Sequence, residues 1–107
     1  MKLPVIALLA VTLSLGACAS LIQTASISEA YKHYESQQYE RTLELITQAE
    51  NAETVSAETK AELTYLKART YEALDEDETA NTLYQYLAKE HSNSQYGYMA
   101  AKKLNGN

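Results

Sequence analysis

Three observations predict an all-α fold for this chain. Beyond residue 25 there is no proline, and glycine occurs only at Gly97 and Gly106. The same stretch is rich in Ala, Leu, Glu, Gln and Lys, which give up little in forming a helix. Apolar residues recur there at three- and four-residue steps, and no alternating run marks a strand.

Helix starts are placed by capping boxes, in which a small polar side chain accepts from free first-turn amides and a Glu or Gln three residues on reaches back. Ser26 with Glu29, Asp75 with Glu78, and Ser92 with Gln95 fit that pattern. Ser56 ahead of Ala57 and Glu58 marks another start, with a carboxylate at the positive helix end. Leu43, Ile46 and Ala49 give the second helix its buried face. Ala57, Ala61, Thr64, Ala68 and Tyr71 form a small-residue stripe on the third that admits a close neighbour. Ala80, Leu83, Tyr84, Leu87 and Ala88 give the fourth its buried face, and Tyr96, Met99, Ala100 and Leu104 mark a short last helix. Ser36 to Gln38 and Leu74 to Asp77 are too short for anything but tight antiparallel turns. Two helical hairpins and a capping helix follow, forming one unit over 26–107.

The N-terminal segment has a different character. Lys2 is followed by an almost unbroken apolar run of 13 residues, Leu3 to Leu15, and then Gly16, Ala17 and Cys18. Such a run falls short of the roughly 20 residues a spanning helix needs, whereas a basic start, a short apolar stretch and small residues fit a cleaved export signal. Leu15-Gly16-Ala17-Cys18 resembles the lipobox of bacterial lipoproteins. That resemblance implies a signal peptide over 1–17 and acylation of Cys18 at its sulfur and its new amino group. Ala19, where Asp would favour retention in the inner membrane, implies sorting to the outer membrane with the domain facing the periplasm. Two or more acyl chains anchor firmly where one does not. Residues 18–25 then form the acylated cysteine and a short tether, and Ala19 to Ala25 reaches on the order of 25 Å if extended at about 3.3–3.6 Å per residue.

Composition removes several function classes. The 107 residues carry 9 basic and 14 acidic side chains, a net charge of −5, and loss of Lys2 with the signal makes it −6. Scattered cations among excess carboxylates exclude nucleic acid as a partner and leave membrane attachment to lipid rather than to charge. One cysteine and two separated histidines provide neither a disulfide nor a zinc ligand set. The run from Asp75 to Glu78 lacks the glycine and closing glutamate of a calcium loop, since Ala80 and Tyr86 stand there, and is explained by helix capping. His33 and His91 have no third ligand or nucleophile placed by spacing, and no nucleophile elbow or phosphate loop occurs. No catalytic residue, metal or cofactor is expected, apart from the covalent lipid on Cys18.

Residues 61–94 resemble a tetratricopeptide repeat, with Ala68, Tyr71, Ala80 and Tyr84 on its small and aromatic positions. Thr64, Lys67, Leu87 and Ser92 depart from the signature. A degenerate copy covers about 23–54, offset by 38 residues, with Ala30 on the small position, His33 where Tyr71 falls, and Thr42 in place of Ala80. The end, from Tyr84 through Leu104, is similar to the repeats of periplasmic envelope-assembly and Tol-Pal-associated proteins. The resemblance implies about two repeats plus a capping helix. Its concave groove would be lined by first-helix residues: Tyr31, Tyr34, Tyr65, Arg69 and Glu72. Several tyrosines have an alternative place in the core, because nine Tyr must do the work of absent Phe and Trp. About three repeats are usually needed for stability, so either the cap suffices or a second copy or partner completes the stack.

The function these features imply is a non-enzymatic, outer-membrane lipoprotein adaptor that binds a periplasmic or outer-membrane protein during envelope or secretion-component assembly. A self-associating structural lipoprotein is the alternative, and an inhibitor or immunity lipoprotein the third reading.

Overall fold

Two tight turns organise the chain, and both place a non-glycine residue in the left-handed region. In the computed structural model, which describes residues 21–106, Gln37 has φ 62° and Asp75 φ 63°. Around Asp75 the amide of Glu76 donates to the Tyr71 carbonyl at 2.9 Å and that of Asp75 to Glu72 at 3.0 Å. Around Gln37 the amide of Gln38 donates to His33 at 2.8 Å and that of Gln37 to Tyr34 at 3.0 Å. This paired closure satisfies carbonyls that a helix end leaves open. Asp75 is therefore the residue that ends one helix, not the cap that starts the next, and the capping box expected with Glu78 is not formed.

The described residues form five helices and no strand. They are α1 (21–35), α2 (Tyr39–Glu50), α3 (Ala57–Ala73), α4 (Asp77–Glu90) and α5 (Gln95–Leu104). The turns at 36–38 and 74–76 fold α1 on α2 and α3 on α4 as hairpins, as the loop lengths predicted. Helix α1 is already helical at residue 21, so 21–25 belong to the helix rather than to an extended tether, and Ser26 is a buried residue within it instead of its cap. Ser56 does cap α3, its hydroxyl accepting from the Thr59 amide at 3.1 Å. Ser94, not Ser92, caps α5 by accepting from the Gly97 amide at 3.1 Å. The segment 1–17, expected to be a signal peptide, and Cys18, expected to carry the lipid, lie outside the described residues.

The two hairpins share a common plan at an offset of 38 residues. The caps Ser56 and Ser94 are 38 apart, as are the left-handed residues Gln37 and Asp75. So are the buried pairs Ser26 and Thr64, Ala30 and Ala68, Thr42 and Ala80, Ile46 and Tyr84, and Ala49 and Leu87. Helix α5 thus begins at the register of α3 and stands where a third hairpin would start.

Helix α3 is the centre of the packing. Leu63 and Leu66 join Ala30, Leu45, Ile46 and Ala49 in one cluster. Ala61, Tyr65 and Ala68 join Ala80, Tyr84, Leu87 and Ala100 in the other. A helix buried on two sides has no single apolar stripe, which is why the small-residue pattern accounts for only one of its faces. Thr64 and Thr70 are tolerated inside because their hydroxyls donate to Lys60 and Leu66 carbonyls one turn back, each at 2.7 Å. Lys67 on α3 donates to Glu50 on α2 at 2.8 and 3.0 Å, tying the hairpins together. On α5, expected from Tyr96, Met99, Ala100 and Leu104, only Gly97 and Ala100 are buried, and Met99 and Leu104 are exposed.

Candidate partner-binding face

The side-chain contacts define one face made of α1, α3 and α5. Tyr31 of α1 and Tyr96 of α5 donate to the same carboxylate oxygen of Glu62 on α3, each at 3.2 Å. Further along, Arg69 of α3 lies over the Tyr34 ring of α1, 5.1 Å from its centroid, and Lys103 of α5 donates to Glu72 of α3 at 3.0 and 3.3 Å. Contacts advance in the same direction on all three helices, so these helices run parallel, with α3 between the other two. Helix α2 and helix α4 return the chain on the other side.

This arrangement brings together the five residues expected to line a groove, but not in equal roles. Tyr65 is 9 % exposed, a core residue with ring centroids of Tyr84 and Tyr96 at 5.8 and 5.9 Å. Tyr31 and Tyr34 are half-buried and pack against the first-hairpin core. Glu72 is half-exposed and Arg69 exposed. Three contributors were not anticipated for this face. Glu62 and Lys103 carry no sequence signal beyond helical position, while Tyr96 marks the last helix in the sequence and is half-buried.

The electrostatics follow from that geometry. Partial burial would lift the Glu72 carboxyl, but hydrogen bonds from Lys103 and Tyr84 and the charges of Lys103 and Arg69 outweigh it and hold it below the usual value. Glu72 also accepts from Tyr84 at 2.9 Å, so the hydroxyl of a core tyrosine is satisfied at the edge of the face. Tyr84 is pushed up by desolvation and then by its bond to Glu72, and Tyr31 by desolvation and the charge of Glu62. Tyr96 is raised by desolvation and the same Glu62 charge. The Arg69 side chain is exposed and forms no ion pair among the described residues, and its guanidinium carbon lies over the Tyr34 ring in a cation–π contact. Among the described residues no three His, Cys, Asp or Glu converge on a metal position. His33 is engaged by Gln38 at the turn and by Glu29 at 3.8 Å.

These shifts predict stability falling at both ends of the pH scale. The three tyrosines hold their protons more tightly folded than unfolded. Their contribution is intact below pH 10.0, the ordinary tyrosine value, and is lost as pH rises from there toward the raised folded values. Glu72 is the reverse case, its contribution present above its ordinary 4.5 and lost as pH falls through the depressed folded value. Melting temperatures across pH, with tyrosinate absorbance read in parallel, should show a group of tyrosines ionising only as the fold is lost. Ionisation of all tyrosines near pH 10.0 with the fold intact would contradict the burial and bonding described.

Comparison with protein-family models, with characterised proteins and with solved structures finds no match to this chain. No described helix is long and apolar enough to cross a membrane.

Proposed function

We propose that this protein is an outer-membrane lipoprotein, anchored through Cys18, whose tetratricopeptide-type domain is a non-enzymatic adaptor for a periplasmic or outer-membrane protein in envelope or secretion-component assembly. The observation that carries the reading is the face of parallel helices, in which exposed Arg69 sits on Tyr34 beside Tyr31, Glu72 and Tyr96. Tyrosine and arginine there combine large contact area with hydrogen-bonding capacity at small entropic cost. The bonds that cross from α1 and α5 to α3 hold those side chains in place before a partner arrives, which limits what binding must order. The 38-residue recurrence supports the repeat assignment, and the sequence around Cys18 supports the anchor.

Arg69→Ala tests the face with little effect on the core, since the residue is exposed and gives up chiefly its contact with Tyr34. The variant is expected to fold, with at most a modest loss of stability, and to lose its partner in copurification from outer membranes. A partner retained at parental yield would rule this face out. For the anchor, Cys18→Ser should abolish palmitate labelling, and persistent labelling would rule it out.

Self-association is the second reading, favoured by the exposed Tyr98, Met99 and Leu104 on α5, the last helix of the stack. Copurification of two differently tagged copies, lost in Tyr98→Ser, would support that reading.

A further inference from the structure

Leu21 and Ile22, in the first described turn of α1, are 66 % and 58 % exposed. The next residue, Gln23, is fixed: its side-chain amide donates to the Thr54 carbonyl at 3.2 Å and to Ala49 at 3.5 Å. The start of α1 is thereby tied to the segment joining α2 and α3, and the two apolar side chains project from that end of the domain. No charged residue occurs from Ala19 through Ser28, and the first cation after Cys18 is Lys32.

We infer that Leu21 and Ile22 dock into the lipid leaflet that holds the Cys18 acyl chains, an inference that rests on the lipoprotein reading. Only Ala19 and Ser20 separate Cys18 from Leu21. Three Cα–Cα steps of about 3.8 Å keep the two residues within roughly 11 Å. The polar layer on each side of a bilayer is about 5–8 Å deep. An acylated Cys18 therefore holds Leu21 and Ile22 at the depth where apolar side chains leave water for the headgroup and acyl boundary. The occupant is zwitterionic lipid. At that end of the domain the exposed cations Lys60 and Lys89 are outnumbered by exposed Glu53, Glu58 and Glu90, so no net positive charge draws anionic headgroups and the carboxylates limit the depth of entry. Because α1, α3 and α5 run parallel, all three then start at the membrane, and the turns at 36–38 and 74–76 point away from it. Arg69, twelve residues into α3, stands about 18 Å above that edge at about 1.5 Å per residue.

The chain has no tryptophan, so Leu21→Trp places a sole reporter at the contact. Glu40→Trp, at an exposed position beside the distal turn, is the comparison. Each full-length variant is purified from cells after palmitate labelling and reconstituted in phosphatidylcholine vesicles, with and without brominated acyl chains. The expected result is a labelled protein whose reporter at position 21 is blue-shifted and quenched severalfold more than the reporter at position 40. A labelled protein with an unquenched reporter at position 21 overturns the docking and leaves the lipoprotein reading standing. Absence of label overturns both. Equal quenching at the two positions overturns the upright orientation, and quenching that requires anionic lipid overturns the assignment to zwitterionic lipid.

Discussion

Replacing Gly97 by alanine is expected to destabilise the protein strongly, although the change would favour an isolated helix. Alanine in a helix interior is better than glycine by about 1 kcal/mol. Here, however, the added Cβ would lie 2.0 Å from the His91 carbonyl oxygen, 2.7 Å from its carbon and 3.0 Å from the Leu87 oxygen. All three are main-chain atoms at the end of α4, so no side chain can rotate out of the way. Helix α5 must shift off α4, loosening Ala100 from its cluster and stretching the bonds from Tyr96 to Glu62 and from Lys103 to Glu72. Overpacking costs typically about 1–3 kcal/mol, and at about 4–8 °C per kcal/mol for a domain of this size the melting temperature should fall by roughly 4–24 °C. The check is thermal unfolding of Gly97→Ala against Gly106→Ala, where φ is +80° but space is open. A Gly97→Ala protein as stable as the parent would mean that α5 does not seat on α4 as described.

The second large effect is expected at Tyr84. It is 2 % exposed, touches Tyr65, and its hydroxyl is bonded to Glu72. Truncating a buried aromatic to alanine costs about 3–5 kcal/mol. Native domains have about 0.05–0.15 kcal/mol of stability per residue, so Tyr84→Ala should remove a large share of the stability of this one. Tyr84→Phe keeps the ring and gives up one hydrogen bond to a carboxylate, a loss of about 1.5–3 kcal/mol. Urea unfolding should therefore rank parent, Tyr84→Phe and Tyr84→Ala in that order. Comparable midpoints for the two variants would place the stabilisation in the hydroxyl rather than in the packed ring.

Folding effects of this size bear on how the face is tested. Tyr65 was a natural choice for a binding variant from sequence, being a first-helix tyrosine at a groove position. Its burial among Tyr84, Tyr96 and the small residues of α3 makes Tyr65→Ala a packing variant. Loss of binding in it would say nothing about contact with a partner. Arg69 carries the test because it is exposed.

Helices and hairpins were legible in the sequence because composition, step spacing and loop length all pointed the same way. Helix ends were less legible. The polar pattern of a capping box recurs by chance where Ser, Asp and Glu are abundant, as at Ser26 and Asp75, and hydrogen bonding of the preceding helix end decided the second case. A left-handed residue without glycine, at Gln37 and again at Asp75, leaves no mark in the sequence. Neither does the double burial of α3, because Leu63 and Leu66 fall off the small-residue stripe and acquire their partners only when the first hairpin packs. On the face, aromatic and guanidinium residues could be nominated from helical register. Glu62 and Lys103 gain significance only through the tyrosines and the carboxylate that other helices bring to them.

The most direct test of the adaptor account is site-specific photo-crosslinking in intact cells, with the photoreactive residue placed at Arg69 in one strain and at exposed Gln85 on α4 in another. The account predicts one dominant envelope protein captured from position 69 and absent from position 85. Capture of that protein equally from both positions, or of nothing but a second copy of the chain from position 69, would contradict it.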